Sequence, residues 1–306
     1  MLPHHISNYM KKMLKKILIG VVICLAIVVI IFIWYFNNQM VKVTTIKESY
    51  SMLASVSKKP SLSVNLYVNQ KDSYITNIDK ISSCYIRSYN NDDIYQVVID
   101  DISIINQTSI KKENYYVYNY LLSFKVDLLD NVIIKEAYLV LNYNNSKSLD
   151  IMIGSISIYN GEVKNTSEVS LSCMKAITSK TNNQIAIEAI VLRLNSKCPV
   201  TINSIECLDC NLVTKKMMQC NYDDTNSLTD INNLISVSEV SFDGKVEVVI
   251  KIDCLYKYEI NNFPLKINYI VNEKEESIFI DNFTFFINNE RSVKISDLTI
   301  YEFEYN

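Results

Sequence analysis

Four cysteines fall between residues 198 and 220, and Cys207-Leu208-Asp209-Cys210 makes a CxxC within them. A CxxC is a common half of a tetrahedral thiolate site for zinc. The second half of a zinc ribbon would be another CxxC, but Cys198 and Cys220 stand singly. A Cys198–Cys220 disulfide would suit an exported domain. Cys84, Cys173 and Cys254 complete a set of seven beyond the first apolar run. That odd number leaves a thiol unpaired or intermolecular. The preferred reading is packing residues and free thiols, with Cys84 and Cys210 as equivalent small buried side chains in the repeat described below. No metal ligand, cofactor site or catalytic residue is assigned.

Carboxylates pair at Asp92-Asp93, Asp100-Asp101 and Asp223-Asp224. Two acids across a cleft can hydrolyse a glycosidic bond. Neighbours in an extended segment point to opposite faces, so each dyad would need a partner from elsewhere. The neighbouring Asn90, Asn91 and Asn221 add oxygen ligands for calcium, without an EF-hand pattern. Solvated loops are the preferred reading. Tyr116, Tyr118 and Tyr120 alternate along one strand face. Such a row would stack on a glycan or enter a protein interface; a cross-strand aromatic row inside a sandwich is preferred.

Scarce residue types exclude more. His4 and His5 are the only histidines, so nothing after residue 36 can supply Ser-His-Asp, Cys-His or HExxH chemistry. Gly20, Gly154, Gly161 and Gly244 are too scattered for a phosphate-cradling loop. The arginines are Arg87, Arg193 and Arg291, and the net charge is −3, which gives no nucleic-acid footprint.

Residues 17–36 carry no charge, and twenty helical residues span a hydrocarbon core of about 30 Å. Lys11, Lys12, Lys15 and Lys16 precede this run and only Lys42 and Lys47 follow closely, which places the N-terminus in the cytoplasm. A cleaved signal peptide would have a shorter apolar stretch and a small-x-small site, whereas this run ends in WYFNNQM.

At an offset of 126 residues, the segments 125–143 and 251–269 share seven of 19 positions, including Leu139/Leu265, Asn142/Asn268 and Tyr143/Tyr269. Leu66/Leu192, Asn69/Asn195, Lys71/Lys197, Asn77/Asn203 and Cys84/Cys210 repeat the offset. Two blocks at one offset indicate a tandem duplication. Leu62, Val64, Leu66 and Val68 alternate with polar residues, as do Leu265, Ile267 and Tyr269. Ile156 and Ile158 alternate with Ser155 and Ser157, and Phe283 and Phe285 flank Thr284. Period two with one apolar face predicts half-buried strands. Asp243-Gly244 predicts a hairpin, and residues 230–236 a short helix.

The expected protein is all-β after one transmembrane helix. Its parts are a basic cytoplasmic tail (1–16), an anchor (17–36), a juxtamembrane stalk (37–56) and two β-sandwich modules (57–178 and 179–306). The expected function is non-catalytic binding, adhesion or envelope assembly outside a cell membrane or viral envelope. Partners are the membrane and a protein or glycan, not nucleic acid. The alternatives are an exported carboxylate-dependent enzyme resembling a glycosidase, and a subunit of a membrane secretion or entry complex.

Overall fold

The computed structural model describes residues 3–55, 59–90, 93–110, 113–125, 131–161, 168–181, 184–210, 212–220, 234–254, 260–286 and 298–304. Helix α1 (Pro3–Gln39) contains the apolar run. Its stretch Met13–Phe32 is long and apolar enough to cross a bilayer, and no part of it is buried against the rest of the chain.

No stalk follows. The chain passes from Gln39 directly into β1 (Met40–Thr45) and then β2 (Glu48–Ala54), which corrects the expectation for 37–56. Val41, Val43, Thr44 and Thr45 are buried. β-Branched side chains lose rotamer freedom in a helix, and here they gain strand neighbours instead.

The first module adds β3 (Ser61–Val68), β4 (Ile81–Ser88), β5 (Ile94–Ile110), β6 (Glu113–Phe124), β7 (Val132–Tyr143) and β8 (Ser148–Asn160). Two layers result, β1-β3-β6-β5 and β2-β8-β7-β4. This is the strand order of an immunoglobulin-type sandwich. Its core includes Leu62, Val64, Leu66 and Val68 from β3 and Ile156 and Ile158 from β8.

The second module comprises β9 (Val169–Thr181), β10 (Gln184–Ser196), β11 (Val200–Cys207), β12 (Leu212–Cys220), β13 (Ser236–Val237), β14 (Val240–Phe242), β15 (Lys245–Cys254), β16 (Ile260–Val271) and β17 (Lys274–Phe286). Its layers are β9-β10-β15-β12-β13 and β17-β16-β11-β14, which follow the first module's β1-β3-β6-β5 and β8-β7-β4 order with β13 and β14 added at the edges. β9 crosses the 178/179 division, and the last strand, β18 (Tyr301–Glu304), returns to pair with β1 of the first module.

Matching details recur in the two F-type strands. Asn142 Nδ2 donates to Ser83 Oγ at 2.9 Å, and Asn268 Nδ2 donates to Ser204 Oγ at 2.8 Å. A register shift precedes each serine, after Ile81 and after Ile202. Tyr143 and Tyr269 are both buried. These pairings align β4 with β11 at an offset of 121, so Cys84 corresponds to Ile205, and the expected equivalence of Cys84 and Cys210 is corrected. Cys84 faces the first core, whereas Cys210 lies in the turn after β11.

The Asp243-Gly244 hairpin does not form. β14 pairs with β11, while β15 pairs with β10 and β12 in the other layer. Gly244, at φ 85°, makes the crossing, and its N–H donates to Ser196 Oγ at 3.0 Å. Residues 230–233 of the expected short helix lie outside the described residues, and Ser236 begins β13.

Candidate functional site

The two modules meet on β2. This strand runs parallel to β8 over Glu48–Ala54, and its other edge runs parallel to β16 at Glu48, Ser49 and Tyr50. One strand thus carries backbone hydrogen bonds to both sandwiches.

Register explains the side chains gathered there. Ser49 lies opposite Ser155 and Ser51 opposite Ser157, so four hydroxyls share one face of the β2–β8 pair. The other face sends Tyr50, Ile156 and Ile158 into the first core. Alternation predicts a hydroxyl face in water; instead Ser49, Ser51, Ser155 and Ser157 are all buried. The cover is the turn 207–210 of the second module.

Ser49 Oγ donates to Asp209 Oδ2 at 2.6 Å and lies 3.0 Å from Ser155 Oγ. Ser51 Oγ donates to the Leu208 carbonyl, and Cys210 N–H donates to Ser157 Oγ at 3.2 Å. Burying hydroxyls and a carboxylate is unfavourable unless each finds a partner, and for Ser49, Ser51 and Ser157 the opposite module supplies one. The Asp209 side chain is 4% exposed. Two backbones also meet closely at this junction. Gly154 has φ 129°, and a Cβ there would collide with the Glu48 carbonyl.

The CxxC therefore belongs to an interface. Cys207 ends β11, its N–H donates to Thr214 Oγ1 at 3.2 Å, and burial pushes its thiol up to about 12. Burial also raises the Cys210 thiol, against lowering hydrogen bonds that include Ser157 and Ser155. Raised thiols hold little thiolate, the form that attacks electrophiles and binds metals. Cys84, Cys173, Cys198, Cys207 and Cys210 are free thiols. Among the described residues, no three His, Cys, Asp or Glu side chains converge as a metal site. Ser49 and Asp209 resemble a hydroxyl–carboxylate dyad, but both are buried, and their bond joins the two modules.

Of the paired acids, Asp92, Asp223 and Asp224 lie outside the described residues. Asp93 is exposed and its carbonyl accepts from Ser88 N–H at 3.0 Å. Asp100 and Asp101 correct the opposite-face expectation. A bulge between Ile99 and Asp101 inserts Asp100 as an extra residue, and both acids line one groove with Asp72, Thr76, Asn77 and Tyr118.

Tyr116, Tyr118 and Tyr120 pack with the first core. Two of them hold the loop between β3 and β4: Tyr118 Oη accepts from Asp72 N–H at 2.9 Å, and Tyr120 Oη donates to the Ile75 carbonyl at 2.8 Å. Sequence reasoning missed the serine junction; the paired Ser-x-Ser of 49–51 and 155–157 is the signal that could have found it.

No family model and no curated protein matches the sequence. Solved structures similar in strand arrangement include the C-terminal domain of the Streptococcus agalactiae AgI/II polypeptide BspA, at 9% identity and TM-score 0.22, covering 79% of this chain and 99% of that one. The D00-D0 domain of intimin gives 10% identity and TM-score 0.20, over 80% of this chain and 98% of that one. The titin tandem immunoglobulin domains A164-A165 give 6% and 0.19, over 79% and 96%. Similarity at this level carries no functional inference.

Proposed function

We propose that the chain is a single-pass membrane protein that holds two copies of one sandwich module against the outer face of a membrane, as a non-catalytic binding or assembly element. The observation that carries this reading is the helix-to-strand passage at Gln39 and Met40. An apolar helix of membrane length runs without a linker into a buried strand. The apolar run is also longer than a removed leader's and ends in WYFNNQM, without a small-x-small site. The lysines before the apolar run favour a cytoplasmic N-terminus. The matching Asn142–Ser83 and Asn268–Ser204 bonds support duplication of one module.

The test is alkaline carbonate extraction of membranes from cells expressing the full chain, with intact-mass measurement of the product. The reading expects an uncleaved 35.3 kDa protein that stays with the lipid. A shortened, extractable product would identify residues 1–39 as a removed leader and defeat the anchor.

A further inference from the structure

The groove beside β5 has the makings of a recognition surface. β5 pairs with β4 only from Ile94 to Val97 and then continues along β6 alone, which opens the side of the first sandwich. The loop between β3 and β4 packs into this opening through two short 3-10 turns, Tyr74–Thr76 and Ile78–Lys80. Between loop and strand lies a groove of about 540 Å³. Asp72 enters it from the loop, and Asp100 and Asp101 from the bulge. All three are exposed, and none forms an ion pair with a lysine or arginine among the described residues. Asp100 accepts one hydrogen bond, from Ser123 Oγ. Ser73 also lines the groove; it is 6% exposed, and its Oγ has no hydrogen-bond partner among the described residues. Ile78 and Ile104 add exposed apolar surface, at 43% and 48%.

We infer that this groove binds a lysine-rich peptide segment of a partner protein. Three uncompensated carboxylates sharing one concave surface attract cations. They do not converge on a single metal ion, so the complementary charges must be spaced along a chain. Aliphatic lysine stems match Ile78 and Ile104 while their heads reach the carboxylates. Ser73 offers an unused acceptor to one further N–H after rotation of its hydroxyl group. A sugar is less well matched, because the groove's tyrosine, Tyr118, is 5% exposed and presents no aromatic platform. The inference deepens the binding reading above and rests on it for the partner's access.

The experiment titrates the full chain in lipid nanodiscs with a fluorescent (Lys-Thr)5 decapeptide and its (Glu-Thr)5 counterpart, read by anisotropy at physiological salt. The wild type should bind the lysine peptide only. Asp72→Asn, Asp100→Asn and Asp101→Asn together should weaken binding about tenfold, from three exposed charge contacts. Glu239→Gln, Glu273→Gln and Glu275→Gln remove equal charge from exposed positions of the second module and should leave binding unchanged. Ile104→Lys should weaken binding with every carboxylate retained, and matched melting curves establish that each variant is folded. Equal loss in both triple variants would reduce the effect to net charge and overturn the inference. So would absent wild-type binding, or competition by a neutral disaccharide, which would reassign the groove to glycans. None of these outcomes alters carbonate extraction, so the groove and the anchor fail separately.

Discussion

Ser49 Oγ donates to Asp209 Oδ2 at 2.6 Å, a bond between residues 160 positions apart that joins the first module to the second. Ser49 sits on β2, whose two edges pair with β8 and β16. The segment from Met40 to Ala54 therefore links the apolar helix to both sandwiches.

Removing the acceptor tests that bond. Asp209→Ala takes the carboxylate acceptor away from the buried Ser49 hydroxyl, and the expected loss is about 2–3 kcal/mol, the range for removing one partner of a buried hydrogen bond to a charged group. Denaturant unfolding measures it. The Ser49→Ala/Asp209→Ala cycle should return a coupling of about 1–2 kcal/mol. Strictly additive single losses would show that the pair contributes nothing as a pair.

Gly154→Ala should be among the most damaging single-methyl changes in the chain. The residue lies at φ 129°, which L side chains rarely adopt, and the new Cβ would meet the Glu48 backbone. Strain and overpacking together predict a loss of about 3 kcal/mol or more. Hydrogen exchange should rise along both β2 and β16. Unchanged protection there would mean that β2 does not hold the second module.

Glu48 makes the junction sensitive to pH. Burial raises its carboxyl from 4.5 to about 7. Because the folded value lies above the unfolded one, the associated stability is fully present below 4.5 and is lost as pH rises through about 7. The whole swing amounts to about 3 kcal/mol. Glu48→Gln should remove this component, so the wild type minus variant difference in unfolding free energy should fall toward high pH. A flat difference would place the Glu48 carboxyl in solvent.

Much of the architecture was readable because alternation reports local burial. Leu62, Val64, Leu66 and Val68 face the core as their spacing requires, and so do Leu265, Ile267 and Tyr269. Alternation does not say what covers the opposite face. Ser155 and Ser157 have the same pattern whether they meet water or the turn 207–210, and only long-range contact decides. The stalk expectation failed similarly: residues 40–54 become strands through pairing with β3, β8 and β16, which local polarity does not report. The Asp100 bulge and the crossing at Gly244 depend on partner strands that local sequence cannot specify. The fixed repeat offset aligned β7 with β16 but misaligned β4 with β11, because the intervening connections differ in length.

The central claim is display of both modules outside the membrane by an uncleaved N-terminal helix. Its most direct measurement is epitope labelling of intact, unpermeabilised cells, with one tag before Met1 and another after Asn306. The account predicts labelling of the C-terminal tag on intact cells and of the N-terminal tag only after permeabilisation. The reverse pattern, or labelling of neither tag before permeabilisation, would contradict it.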